Sequence, residues 1–253
     1  MTATKQKALL IDITKCVGCH ACDQACREGH GQPLEQPAKL TATAFTVLEE
    51  HDDKYVRRMC QHCEDPACAS ACLVGALEKS ALGPVTYAAN KCVGCRYCMV
   101  ACPYQVPKYQ WSKLAPFMQK CDMCYDRVSQ GQQTRCAEAC PTGATLFGDR
   151  DELIMEARKR MIENPAYVRR IYGEHELGGA SVMYISDVPF EKLGFVVPPH
   201  DQPMPKLSQA AMGDTPTVVL VGGTLLTGLY WITQRRREVL LAESKPKADE
   251  ERS

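Results

Sequence analysis

Apolar and polar positions change their rhythm several times along this chain of 253 residues. Near the N-terminus, LLIDI at residues 9–13 is a short apolar run of the kind that forms a buried strand. It leads into a cysteine loop and then into small residues that open a helix. Residues 9–26 (LLIDITKCVGCHACDQAC) therefore make one strand–loop–helix unit, and residues 84–102 (PVTYAANKCVGCRYCMVAC) repeat it. Residues 145–147 form a further short strand, reached through Pro141-Thr142-Gly143-Ala144, which ends the helix before it. Over residues 151–163 the period becomes helical. Leu153, Ile154, Ala157 and Met161 recur on one face, with Asp151 and Glu152 in the first turn and Lys159 and Arg160 in the last. Such a stripe docks onto the body of a domain. Residues 197–206 (VPPHDQPMPK) are proline-rich and read as a linker.

Residues 216–233 then hold no charge at all. At about 1.5 Å per residue this stretch reaches about 27 Å, close to the thickness of a bilayer core. Tyr230 and Trp231 sit near one end, as interfacial aromatics do, and Arg235, Arg236 and Arg237 follow at once. The expected organisation is a cysteine-bearing domain over 1–150, a partner-docking helix and irregular extension over 151–213, a transmembrane helix over 214–235 and a charged tail over 236–253.

Composition narrows the function classes. Thirty Lys+Arg balance thirty Asp+Glu, so formal net charge is zero and bulk charge does not make this a nucleic-acid binder. Hydrophobic residues at 45% and charged residues at 24% exclude compositional disorder. A mean hydropathy of −0.27 excludes a polytopic membrane protein and leaves room for one span. Aromatics at 7% predict a core that does not depend mainly on aromatic packing. There is no glycine-rich nucleotide loop and no nucleophile–base arrangement, so no substrate chemistry is expected of the chain itself.

What stands out is sixteen cysteines, all between Cys16 and Cys140. They form four quartets: Cys16, Cys19, Cys22, Cys26; Cys60, Cys63, Cys68, Cys72; Cys92, Cys95, Cys98, Cys102; and Cys121, Cys124, Cys136, Cys140. Each quartet ends in the same C-x3-C step. Disulfides suit small secreted scaffolds, and cysteines two residues apart pair only with strain. A zinc ribbon needs two knuckles separated by a long hairpin. Cys121, Cys124, Cys136 and Cys140 could imitate that, but the compact quartets could not. A zinc- or disulfide-stapled structural protein is therefore the alternative reading. Iron–sulfur chemistry fits better. A C-x2-C-x2-C loop wraps three corners of a cubane, and the cysteine after x3 opens a short helix and points to the neighbouring cluster. Four complete quartets predict four [4Fe–4S] clusters, in a region of short hairpins and short helices held by ligation rather than by a large apolar core.

The order of motifs, with x4 in the second and x11 in the fourth, resembles the iron–sulfur subunit of dimethyl-sulfoxide-reductase-type respiratory complexes. HCEDPACASAC (62–72), CRYCMVACPYQVPKY (95–109) and KCDMCYDRVSQGQQTRCAEACPTGA (120–144) carry the likeness, which covers about residues 8–150. Within that group the chain is similar to the membrane-anchored type, the β subunit of respiratory formate dehydrogenase and the ferredoxin-like subunit of hydrogenase-2-type nickel–iron hydrogenase. IYGEHELGGASVMYISDVPFEKLGF (171–195) extends the likeness to both. The implied fold is α+β: two ferredoxin-like two-cluster modules with short hairpins and helices, motif one paired with four and two with three, plus one C-terminal transmembrane helix. The implied ligands are Cys16, Cys19, Cys22 and Cys140 for cluster one; Cys121, Cys124, Cys136 and Cys26 for cluster two; Cys60, Cys63, Cys68 and Cys102 for cluster three; Cys92, Cys95, Cys98 and Cys72 for cluster four. Leu73 stands where relatives often carry proline, which alters only the turn after a ligand.

The resemblance also implies a non-catalytic electron-transfer role. The partners would be a catalytic large subunit, carrying a molybdenum or tungsten pterin or a nickel–iron centre, and a membrane cytochrome b or quinone-binding subunit. Three arginines after the span and few cations before it predict a cytoplasmic C-terminus and a cluster domain on the periplasmic face of a bacterial inner membrane. The segment MTATKQKALLIDITKC carries no apolar h-region and no twin arginine, so no signal peptide is expected; in the family the catalytic partner supplies the export signal. Lys15, Lys91 and Lys120 each precede the first cysteine of a motif. The plain reading is a solvated lysine, the other a cation tuning an anionic cluster. His20, His30 and His62 are redundant with complete quartets and are read as non-ligands. Tyr97, Tyr104, Tyr109 and Trp111 are expected to pack over clusters and exclude water.

Overall fold

The computed structural model describes residues 5–114 and 116–244. The chain divides into two units, residues 1–205 and 206–253. In the first, β1 (Lys7–Asp12), α1 (Ala21–Gly29), β2 (Val47–His51), β3 (Lys54–Arg58), α2 (Ala67–Ser70), β4 (Leu77–Lys79) and β5 (Val85–Tyr87) carry the chain through the first two motifs. Then come α3 (Tyr97–Ala101), β6 (Lys108–Tyr109), β7 (Met118–Gln119), α4 (Tyr125–Val128), α5 (Arg135–Glu138), β8 (Thr145–Asp149), α6 (Arg150–Glu163) and β9 (Val182–Ile185). Regular structure is short and scattered, an α+β arrangement of small sheets and short helices, as the motif spacing requires.

The apolar run near the N-terminus becomes the central strand of the largest sheet, ordered β8-β1-β9. β1 pairs antiparallel with β8, Lys7 opposite Asp149 and Ile11 opposite Thr145, and parallel with β9, Leu9 opposite Val182. Its near-continuous hydrophobicity follows from burial on both faces. Alternate residues divide between them. Ala8, Leu10, Met183 and Ile185 meet Leu153, Ile154, Ala157 and Met161 of α6, the stripe read from the sequence. Leu9, Ile11, Val182 and Tyr184 face the opposite way, into a core that contains Cys26, Cys60, Cys121 and Cys136. The apolar face of α6 is thus used within the domain.

Strand pairing joins the motifs in twos. β1, before motif one, pairs with β8, after motif four, and α1 packs on α5. β4, after motif two, pairs with β5, before motif three, and α2 packs on α3. Residues 171–195 bind the two halves together. β9 extends the first half's sheet, while Ser181 and Val182 donate backbone N–H to the carbonyls of His62 and Gln61, each at 3.1 Å, and Cys63 bridges to Ala180. Four rings knit this segment: Tyr172 and Phe195 lie 4.6 Å apart between centroids, and Tyr184 and Phe190 complete the group. Low aromatic content is therefore concentrated rather than absent from the core.

The second unit is dominated by α7 (Met204–Glu243), a helix of 40 residues. It begins inside the expected linker because Pro205 falls in its first turn, where a missing N–H leaves no bond unmade. It is long and apolar enough to cross a membrane. No charge interrupts it between Asp214 and Arg235, and its hydroxyls bond inward. Thr224 and Thr227 donate to the carbonyls of Leu220 and Gly223 at 2.8 and 2.7 Å. Of the tail expected over 236–253, the part from residue 245 lies outside the described residues.

Two predictions follow from local geometry. Asp12 is fully buried and accepts from Thr14 Oγ1 (2.6 Å), Tyr167 OH (2.9 Å) and Arg160 Nη1 (2.9 Å). Asp12→Ala leaves the Tyr167 and Thr14 hydroxyls without this acceptor and Arg160 with Glu156 alone (2.8 Å), and lowers stability by about 2–3 kcal/mol. Chemical denaturation under anaerobic conditions measures it, and a loss under about 1 kcal/mol contradicts the role given to this network. Gly18 and Gly94 occupy the same place in the repeated C-V-G-C loop, with φ of +69° and +71°. Alanine at either meets the left-handed penalty of about 1–2 kcal/mol. A Cβ at Gly18 also falls 2.6 Å from the ring of Tyr55, whereas one at Gly94 meets nothing within 4 Å. Gly18→Ala is expected to lower the thermal midpoint more than Gly94→Ala; equal shifts contradict this.

Candidate iron–sulfur centres

The cysteines sit where loops enter short helices, so a few residues of chain set several thiol directions. In motifs one and three the turn is made by a glycine and then by a left-handed residue before the helix, His20 (φ 58°) before α1 and Arg96 (φ 67°) before α3. The next cysteines then project back toward the loop. The last cysteine lies at or beyond the helix end in motifs two, three and four, while Cys26 lies inside α1.

Cys16, Cys19, Cys22 and Cys140 line one pocket, together with Arg57 and Thr145. The space between protein atoms, including the part open to solvent, is about 380 Å³. Cys72, Cys92, Cys95 and Cys98 line another, of about 310 Å³, whose other walls are aliphatic side chains, Met118 and two tyrosines. The remaining eight thiols form two further groups of neighbours. Burial pushes the Cys63 thiol well above its ordinary range, and adjoining Cys60, Cys102 and Cys68 push it further. Burial also raises Cys121, with Cys26 the nearest contributing thiol, and raises Cys124, which neighbours Cys136. Cys26, Cys121 and Cys136 share one buried cluster of side chains.

Three thiol pairs link one group to the next. Cys22, pushed up to about 11 chiefly by burial, interacts with Cys136. Cys121 interacts with Cys60. Cys68, pushed up to about 12 chiefly by burial, interacts with Cys98. The four groups therefore follow one another in a line, from the Cys16 pocket through those of Cys121 and Cys60 to the Cys92 pocket.

The donor set suits a multi-iron, thiolate-ligated group. All sixteen cysteines are free thiols in this structure. Among the described residues no three His, Cys, Asp or Glu side chains converge on a single-ion position. Backbone N–H groups turn toward sulfur instead. Burial pushes the Cys72 thiol up, yet the amides of Leu77, Ala76, Val74 and Gly75 outweigh it and hold the thiol below its usual value; Ala76 N lies 3.2 Å from Cys72 Sγ. Burial likewise opposes Cys140, and the amides of Thr145, Ala144 and Thr142 with the Thr142 hydroxyl reverse the sign. Such donors stabilise thiolate and tune an iron–sulfur centre.

The neighbouring residues divide unevenly. Lys15 and Lys91 are exposed, as the plain reading has it. Lys120 is 6% exposed and donates to the carbonyls of Val85 and Cys121, the latter at 2.9 Å. His30 donates from both nitrogens, to the Cys26 carbonyl (2.8 Å) and to Asp122 (3.3 Å). The Asp122 bond is the main reason its pKa is pushed up to about 11. His62 is fully buried, and its Nδ1 accepts from Val85 N at 2.8 Å. His20 bonds Asp23 at 3.0 Å. Tyr109 is buried against the Cys92 pocket and Tyr104 is half-buried. Tyr97 and Trp111 are exposed instead, and Trp111 is held at the surface by the Arg96 guanidinium, 4.5 Å from its ring centroid. Sequence reasoning missed Arg57. It lies on β3 in the run Lys54-Tyr55-Val56-Arg57-Arg58, which reads as a solvated strand, and nothing in the local pattern distinguishes it from Arg58.

Known proteins bear on this arrangement. Residues 51–150 match the 4Fe-4S dicluster domain, a range that holds three of the four motifs. A protein of Nitratidesulfovibrio vulgaris is 39% identical over 93% of this chain and 69% of its own length. The Hydrogenase-2 operon protein HybA of Shigella flexneri is 34% identical over 81% of this chain and 74% of its own. The nitrate-inducible formate dehydrogenase iron–sulfur subunit of Escherichia coli is 36% identical over 70% of this chain and 67% of its own. With its paired cysteine motifs and long apolar C-terminal helix, the chain belongs to the family of ferredoxin-like iron–sulfur subunits of the membrane-anchored type.

Proposed function

We propose that this chain holds four [4Fe–4S] clusters and relays single electrons between a catalytic subunit and a membrane cytochrome b or quinone-reactive subunit. The observation that carries the reading is the succession of four cysteine groups, in which Cys22 interacts with Cys136, Cys121 with Cys60 and Cys68 with Cys98. The ligand sets are Cys16, Cys19, Cys22, Cys140; Cys26, Cys121, Cys124, Cys136; Cys60, Cys63, Cys68, Cys102; and Cys72, Cys92, Cys95, Cys98. The bound groups supply one-electron redox chemistry. The chain supplies thiolates, amide donors to sulfur and apolar walls that keep water out. It provides no substrate chemistry of its own.

The terminal groups are the more open ones. Cys19 and Cys95 are exposed, while every cysteine of the two inner groups is buried or half-buried. That contrast suits entry and exit at the two ends of the line. Relatives named for formate dehydrogenase and for the hydrogenase-2 operon support a catalytic partner with a molybdenum or tungsten pterin or a nickel–iron centre. α7 serves as a single-pass anchor in a bacterial inner membrane, and Arg235, Arg236 and Arg237 support a cytoplasmic C-terminus with the cluster domain on the periplasmic side.

Anaerobic purification with iron and sulfide analysis tests the count: about sixteen iron per chain are expected. A colourless, iron-free native polypeptide would end the reading. Cys98→Ala is expected to leave the catalytic partner's reduction of artificial dyes near normal and to cut electron delivery to quinone at least about tenfold. Equal loss of both activities would point to misfolding instead. Ending the chain after Pro205 is expected to release it from membranes under an alkaline wash while its iron stays bound; a full-length chain that also washes off contradicts the anchor.

A further inference from the structure

Arg57 is a buried cation without a matching anion. It is 2% exposed, and among the described residues no carboxylate lies within ion-pairing distance of it. Its contacts are neutral: Nη1 donates to Thr145 Oγ1 at 3.2 Å, Nη2 approaches Met59 Sδ at 3.2 Å, and Nε is buried with no partner at all. A guanidinium does not deprotonate in proteins, so the charge cannot be shed. A lone buried charge is strongly destabilising unless something of opposite sign compensates it. The other buried arginine, Arg27, marks the contrast, since it has Asp23 at 3.3 Å.

The groups around Arg57 identify the compensation. It lines the pocket of Cys16, Cys19, Cys22 and Cys140 and interacts electrostatically with Cys16 and Cys22. Cys136, from the adjacent group, interacts with it too, as does the Tyr184 hydroxyl. It stands at the junction of two cysteine groups, interacting with Cys22 of one and Cys136 of the other. No charged residue lines the Cys72, Cys92, Cys95 and Cys98 pocket at the other end of the line.

We propose that Arg57 is the shared counter-cation of the two centres held by Cys16, Cys19, Cys22, Cys140 and by Cys26, Cys121, Cys124, Cys136, raising the reduction potentials of both and setting them apart from the fourth. The inference rests on the four-cluster reading. A fixed positive charge in a low-dielectric interior favours the more negative, reduced form of a nearby anionic centre, and net charge and hydrogen bonds to sulfur are the levers that set such potentials. Arg57 is a positioning and tuning residue, since it lines a pocket of ligand cysteines rather than touching any substrate. Its buried Nε–H, which has no protein partner, is the hydrogen-bonding part of the same effect.

The test is a redox titration of the anaerobically purified full complex, followed by electron paramagnetic resonance, on wild type, Arg57→Gln and Arg57→Lys, with Cys19→Ser and Cys95→Ser used to assign the signals of the end centres. Arg57→Gln is expected to lower the midpoints of the two centres beside it and leave the Cys95 centre unmoved. Arg57→Lys, which keeps charge and loses the planar fork, is expected to fall less than Arg57→Gln. Unchanged midpoints in Arg57→Gln at native iron content overturn the proposal. So do equal falls in both variants, or a uniform fall across all centres. If Arg57→Gln fails to retain iron, Arg57→Lys decides: native iron and near-native midpoints support a counter-charge, and iron loss as severe as that of Gln overturns it. A wild-type chain without iron defeats the cluster reading itself, whereas iron-replete variants with native potentials defeat only the role of Arg57.

Discussion

The constraint on which this structure depends is that cysteines from different motifs must meet. Cys140 lines its pocket with Cys16, Cys19 and Cys22, more than a hundred residues away in sequence, and Cys72 lines its pocket with Cys92, Cys95 and Cys98. Short helices end where these cysteines must cross, and short strands on either side lock the crossing in place. β1 with β8 holds the first motif against the fourth, and β4 with β5 holds the second against the third. Regular structure can be sparse because each sheet has only to fix the relative position of two loops. The cost of ordering so much irregular backbone is offset by ligation, which orders the chain on folding.

The two halves meet directly, through Lys7 N–H to the Leu82 carbonyl at 2.8 Å and Lys120 to the Val85 carbonyl, and residues 171–195 reinforce that seam. This segment makes no use of cysteine. It adds β9 to one half's sheet and hydrogen-bonds Gln61 and His62 of the other, with Tyr172, Tyr184, Phe190 and Phe195 closing over the seam. Electron passage depends on separation, so a rigid seam between the Cys121 and Cys60 groups matters more than stability alone. Here the low aromatic content is placed where it fixes a distance.

Much of this was legible in the sequence, for reasons that differ by element. The α6 stripe was readable because Leu153, Ile154, Ala157 and Met161 keep a helical period against polar neighbours. The β1 run was readable because a strand buried on both faces loses its alternation. The quartets were readable because ligand spacing is a local property, whereas their cross-pairing came only through family resemblance, since spacing does not choose between partners. Lys15, Lys91 and Lys120 show where local pattern ends. All three occupy the same place before a motif, but Lys15 and Lys91 close exposed single turns while Lys120 follows β7 into the interior and finds the Val85 and Cys121 carbonyls. The long α7 was read as a shorter span because proline at 205 suggested irregular chain, and a proline in a first turn is neutral on that point.

A chain of zero net charge can still have a strongly biased interior. Arg57 and Lys120 are buried and answered only by carbonyls, a hydroxyl and a thioether, and Lys79, half-buried, has one carboxylate in Glu64 at 3.2 Å. Desolvated cations of this kind would be a fault in an ordinary core. Beside groups of thiolates they are a matched arrangement, with the negative charge brought by ligation and the positive charge built into the fold. Metal loading and charge balance then become one event. If the sixteen cysteines hold clusters as proposed, the cations that would destabilise a cluster-free domain stabilise the loaded one.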